Sequence, residues 1–279
     1  MGALLGLLAA LSYGVSDFLG GLGSRRLHFL WVAVLGHVVG VSLAWLSLLR
    51  FGGDGAATAP VLWGALSGIG SASGTLALYR GFSHGQMAVA APLSAVGAAV
   101  IPALFGAVSG DRLPLIGVAG VVLALPAIWL MARAPSKTPD HVRSGVADGL
   151  ASGAGFGLLF VTLDLAGDAN GLWPVAAGQA SAITLLLVTA AVLRPAWVSG
   201  VDRRILATCL TAGLLGTSAN VLFFLATHEG LVTVAAVLTA LYPGVTIGLA
   251  ALLLHERPSG TQRLGLVLAA VAVVAIVTS

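Results

Sequence analysis

The sequence is poor in charge: only 8% of its 279 residues are Asp, Glu, Lys or Arg. A soluble domain carries about 25%, so a chain surrounded by water is excluded. Its one cysteine, Cys209, lies inside an apolar run, which excludes a disulfide framework and a cysteine-based zinc site. The 13 basic residues are scattered singly or in pairs and form no stripe for nucleic acid, although the pI is near 9.6. There is no His-Glu-x-x-His, and no glycine-rich stretch leads into Lys-Ser or Lys-Thr. Zincin-type metal chemistry and ATP-driven pumping therefore have no motif to rest on. What is present is 58% hydrophobic residues and a mean hydropathy of +1.03. Nearly everything resembles a core, so the outer surface must face lipid.

Ten stretches reach the roughly 20 apolar residues that a helix needs to cross the hydrocarbon. They are residues 3–22, 28–49, 61–82, 86–109, 113–132, 146–166, 171–193, 204–227, 231–254 and 259–278. The third and eighth are the weakest, being rich in Gly, Ser and Thr. The connections are too short for an extramembrane domain. A β-barrel would need short alternating strands, and runs such as residues 245–254 do not alternate. The first span lacks a basic leader and is too long for a signal-peptide core, so it is expected to stay as a helix. The reading is an all-α polytopic membrane protein.

The chain also matches itself. At an offset of 145, residues 63–131 align without gaps: residues 85–95 overlay 230–240, Asp111-Arg112 overlays Glu256-Arg257, and Gly120 overlays Gly265. At an offset of 142, Trp31 and Gly36-His37 meet Trp173 and Gly178-Gln179. At 143, Ser12-Tyr13-Gly14 meets Gly155-Phe156-Gly157. Two repeats follow, 1–134 and 145–279, joined by a hydrophilic linker at 135–144. Each holds five spans, an odd number, so the second enters the membrane from the opposite side. Inverted repeats of this kind are typical of secondary transporters, with the solute site near the midplane between the halves.

These features together resemble the EamA family of the drug/metabolite transporter superfamily. The resemblance is carried by Gly-Asp-Arg (110–112) and His-Glu-Arg (255–257) after the fourth helix of each half. A helix with a glycine follows each (Gly120, Gly265), and an aromatic-Gly pair lies in each first helix (Tyr13-Gly14, Phe156-Gly157). It covers essentially the whole chain. It implies a secondary active transporter, often an exporter of amino acids, other metabolites or drugs, with a central cavity between the halves. The family usually carries Glu after each fourth helix, whereas the first half here has Asp111. The expected setting is the bacterial inner membrane, with the bilayer and a small-molecule solute as partners, protons as a coupling ion, and a monomer or homodimer.

Charge gives an orientation. Loops on the side of the termini carry two basic residues, Arg50 and Arg112; the opposite side carries the other eleven. The positive-inside rule puts the eleven in the cytoplasm and both termini outside. The family resemblance implies the reverse.

Ionisable residues inside spans are costly and default to functional hypotheses. Asp17 lies in the last third of the first span and Arg80 in the last turn of the third, which runs the same way. One reading is a charged pair that lines the cavity and binds a zwitterion or couples to protons. The other pairs Asp17 with Arg25, or makes it a helix cap, and lets Arg80 snorkel to headgroups. His37, mate of Gln179, is either a proton shuttle or a packing residue. Asp164 and His228-Glu229, at matching ends of the sixth and eighth spans, form a gate or are solvated loop charges. The small polar runs at 67–75 and 211–220, with Ser71, Thr75 and Asn220, either wall the cavity or let helices pack closely. Tyr13, Tyr79, Phe156 and Tyr242 supply aromatic walls, and Pro92 and Pro243 are bend points or fixed kinks.

The expected solute-binding set is therefore Tyr13, Asp17, Ser71, Thr75, Tyr79, Arg80, Phe156, Asn220 and Tyr242. The expected coupling or gating set is Asp17, His37, Asp164, His228 and Glu229. An intramembrane enzyme, of the lipid-phosphate phosphatase or protease type, is the alternative. It needs a concentrated constellation of metal ligands or a nucleophile with its base, and none is seen. A channel gives no reason for duplicated halves. No catalytic residue, metal or cofactor is expected. The near absence of charge clusters favours a small zwitterionic or neutral metabolite over a polyanion.

Overall fold

In lipid every backbone N–H and C=O must be satisfied within its own segment, so apolar runs of this length become helices. The computed structural model describes residues 1–51, 57–84, 87–132, 142–167, 171–196, 201–253 and 259–278. The helices in chain order are α1 (Gly2–Ser24), α2 (Phe29–Phe51), α3 (Thr58–Ser83), α4 (Met87–Ser109), α5 (Leu115–Ala132) and α6 (Val142–Leu165). They continue with α7 (Trp173–Leu193), α8 (Arg203–His228), α9 (Val232–Thr239), α10 (Tyr242–Leu253) and α11 (Gly260–Val277). Eight spans have the length and apolarity to cross a membrane, counting 232–253 as one, and Leu93–Ser109 and Leu115–Met131 are shorter apolar helices. Most of the linker at 135–144, the His255-Glu256-Arg257 turn and the Gly85-Gln86 start of the repeat match lie outside the described residues.

Helix ends follow local chemistry. The Asp202 carboxylate accepts from the Arg204 N–H at 3.0 Å and starts α8. Ser259 and Gln262 form a capping box at the start of α11. Arg194 ends α7 in the left-handed conformation, φ 45°.

The ninth span departs from the sequence reading, which places one helix over 231–254. The chain breaks after Thr239 and restarts at Tyr242. Pro243 sits in the first turn of the second piece, where its missing N–H breaks no helical bond. Its counterpart α4 is continuous. The two halves differ most at this element, where Tyr242 enters the centre of the molecule.

Small residues pack inward and large aliphatic ones point outward. On α1 the buried face holds Gly6, Ala9, Ala10, Gly14 and Ser16, while Leu4, Leu8 and Leu11 are exposed. With lipid outside there is no hydrophobic drive between helices, and small residues let backbones approach.

The packing crosses between the halves. Helix α3 lies against α6, and α8 lies in the same way against α1; α3 also contacts α7 as α8 contacts α2. Glycines repeat this exchange. Gly68 and Gly178 bring α3 onto α7, and their sequence mates Gly213 and Gly36 bring α8 onto α2. Where α5 meets α11, a β-carbon on Gly120 would lie 3.1 Å from the Ala272 carbonyl oxygen, and one on Gly265 2.9 Å from that of Ala127. Ala127 and Ala272 are themselves 145 residues apart.

Candidate functional site

A cavity of about 70 Å³ lies where both halves meet, near the middle of its lining helices. Water needs roughly 10–15 Å³ on such a measure, so this conformation holds a few waters or a solute of a few heavy atoms. Of the expected solute-binding residues, Tyr13, Asp17, Ser71, Thr75, Tyr79, Phe156, Asn220 and Tyr242 line it, and so does His37.

Arg80 does not line it. Its Nε and Nη2 donate to Asp148 Oδ1 on α6 at 2.8 and 2.5 Å. Asp148 is 1% exposed and the Arg80 side chain 53%. The expected Asp17–Arg80 pair is therefore replaced by an Arg80–Asp148 pair. Helical geometry explains the difference: Tyr79 faces the cavity, and the next residue lies about 100° further round the helix, toward α6. Among the described residues, the Asp17 carboxylate has no ion-pair partner and no hydrogen bond, neither from Arg80 nor from Arg25.

Three tyrosines surround that carboxylate: Tyr13 one turn earlier on α1, Tyr79 from α3 and Tyr242 from α10. They are all the tyrosines the chain has. Tyr13 and Tyr242 lie with ring centroids 6.4 Å apart, and the Tyr13 hydroxyl donates to Asn220 Oδ1 on α8. On the flanks, the repeat mates His37 and Gln179 do matching work. His37 Nδ1 lies 2.9 Å from the Ala33 carbonyl, which only accepts, so Nδ1 carries the proton. His37 Nε2 then meets Ser71 Oγ of α3 at 3.4 Å. Gln179 Nε2 donates to Thr217 Oγ1 of α8 at 3.2 Å. Gln179 Oε1 is buried and has no hydrogen-bond partner among the described residues. Gln179, Thr217, Ser16 and Cys209 are lining residues outside the expected set. For Gln179 the available signal was its pairing with His37 in the repeat.

Toward the termini the cavity is floored by Phe160 and Phe223, stacked at 4.1 Å. Beyond this floor Asp111 Oδ2 accepts the Thr233 N–H at 3.0 Å, so the acidic residue after α4 caps the start of α9. Asp164 is within electrostatic range of Asp111 and His228. His228 Nδ1 lies 2.5 Å from the Phe224 carbonyl, while its buried Nε2 has no partner among the described residues. The expected gating residues Asp164, His228 and Glu229 therefore sit at the terminal face, away from the cavity.

The model of the EamA-like transporter family matches residues 143–278. The second half of the chain is an EamA-like transporter unit. A further relative is an uncharacterized protein of Methanocaldococcus jannaschii. It is 29% identical over 130 residues, which is 46% of this chain and 93% of that protein. Among solved structures, one crystal structure of a protein superposes with a TM-score of 0.77 at 17% identity, covering 98% of this chain and 95% of that one. At that identity the likeness concerns the fold alone. The EamA-like match, with eight spans long and apolar enough to cross a membrane, indicates an integral membrane protein, and transport rather than catalysis fits that family.

Proposed function

We propose that the protein is a secondary active transporter, working as an exporter, that carries a small metabolite by alternating access at the central cavity. The halves 1–134 and 145–279, joined through 135–144, rock against one another and expose the cavity to each side of a bacterial inner membrane in turn. The observation that carries this reading is a mid-depth cavity walled by both halves, with a single carboxylate, Asp17, that has no partner among the described residues. An ionised carboxylate at this depth is costly without a positive charge. Either the solute or a proton can supply that charge, and a site that must hold one of them couples their movements. The titratable groups facing Asp17 are Tyr13 on its own helix, His37 from α2, Tyr79 from α3, Cys209 from α8 and Tyr242 from α10.

Proteoliposomes loaded with a pH-sensitive dye test the reading. Adding a transported solute should move protons across the wild-type membrane. Asp17→Asn should lower that flux about tenfold or more, the scale of one lost charge-assisted interaction. Full transport by Asp17→Asn with an unchanged pH profile would defeat the coupling role.

A further inference from the structure

We propose that the solute is a small primary ammonium cation that carries no carboxylate of its own. The inference rests on the cavity being the transport site, and it goes beyond that reading to the charge of the cargo. The scarcity of charge clusters in the sequence pointed to a small zwitterionic or neutral metabolite, and one reading of Asp17 and Arg80 had them receive opposite ends of a zwitterion. The structure removes half of that receptor, because Arg80 is held by Asp148 outside the cavity.

Among the described residues no Lys or Arg lines the cavity, and Asp17 is its only acidic residue. The contacts of His37 do not require it to be charged. With Nδ1–H given to Ala33 and Nε2 meeting Ser71, its neutral form has both ring nitrogens satisfied. An amino acid would place its ammonium on Asp17 and leave its carboxylate in a low-dielectric space without a counter-charge. A monocation leaves no such residue of charge.

Two further features select the same chemistry. Aromatic rings present negative faces, and cations are attracted to them; all three tyrosines are gathered around this carboxylate. The unused hydrogen-bonding capacity includes two acceptors, the Asp17 carboxylate and the buried Gln179 Oε1, beside the buried Tyr242 hydroxyl, which can donate or accept. An ammonium group offers N–H bonds to acceptors of this kind, whereas a quaternary cation serves only the charge. The cavity of about 70 Å³ limits the cargo to a few heavy atoms in this conformation.

Four probes of similar size and different charge separate the possibilities: propylammonium, alanine, propionate and 1-propanol. Binding is measured by calorimetry on the purified full chain, and movement by counterflow in proteoliposomes. Propylammonium should bind and exchange, with the other three weaker by about tenfold or more. Asp17→Asn should lose propylammonium binding, whereas Asp17→Glu, which keeps the charge and reports on folding, should retain it. If alanine or 1-propanol binds as tightly as propylammonium and is exchanged, the cation assignment is overturned and the transporter reading stands. If propylammonium binds through Asp17 but nothing crosses the bilayer, the transporter reading fails and cation recognition survives. If none of the four binds, the inference is overturned.

Discussion

Arg80 and Asp17 sit at similar depths in parallel helices, and depth alone suggested that they meet. Depth fixes position along the membrane normal but not direction around the helix. One residue of rotation is enough to give Tyr79 to the cavity and Arg80 to Asp148. The polar groups of the site were legible because intramembrane polarity is rare and costly. Tyr13, Asp17, His37, Ser71, Thr75 and Asn220 all stood out for that reason. Asp148 did not, because it lies near the start of its span beside Arg143 and Ser144 and reads as a loop-edge charge. The pair now has a structural role. Arg80→Ala would leave Asp148, 1% exposed, without its cation. Breaking a fully buried pair costs about 3–5 kcal/mol. The exposed Arg80 side chain reduces this to roughly 1–3 kcal/mol. Thermal unfolding in detergent should therefore show a lowered midpoint for Arg80→Ala. Solute affinity should stay within about twofold of wild type, and a larger loss would return Arg80 to the binding site.

The helices themselves were readable from hydropathy, since lipid imposes one solution on a long apolar run. The break between α9 and α10 was not, because hydropathy is continuous across 231–254 and Pro243 signals a kink and a helix start alike. The acidic residue after α4 was visible as a motif without a reason. The reason is a cap: Asp111 crosses from one half to hold the first turn of α9 in the other. A carboxylate there also meets the positive end of the helix dipole. Asp111→Ala should cost about 0.5–2 kcal/mol, the range for a lost N-cap. Asp111→Asn, which keeps an acceptor, should recover most of it. The check is the unfolding midpoint of the two variants side by side; equal losses would mean that the cap is not the source of stability. The small-residue runs of α3 and α8 divide by face. Ser71 and Thr75 open onto the cavity, while Gly68 meets Gly178 one turn away.

At the scale of the whole molecule, exchange of the halves relates the principal packing pairs. The relative from Methanocaldococcus jannaschii aligns over 93% of its length to 46% of this chain, so it has about the length of one half. The linker and the second acidic turn lie outside the described residues, and the exchange is carried by α1–α8, α3–α6 and α5–α11. Charge predicts the sidedness. With eleven of 13 basic residues on one side, a C-terminal alkaline phosphatase fusion should be active and a C-terminal green fluorescent fusion dark in cells. The opposite pattern would place the termini in the cytoplasm. The crosswise packing has a consequence for how the chain is made. Helix α1 ends at Ser24, and its main partner α8 begins at Arg203. At about 5–20 residues per second, synthesis of the intervening chain takes on the order of 10–40 s. Throughout that interval the newborn α1 carries Asp17 into the bilayer with its future neighbour unmade. The chain must therefore carry that carboxyl protonated, shelter it in the insertion machinery, or leave α1 near the surface until the second half arrives.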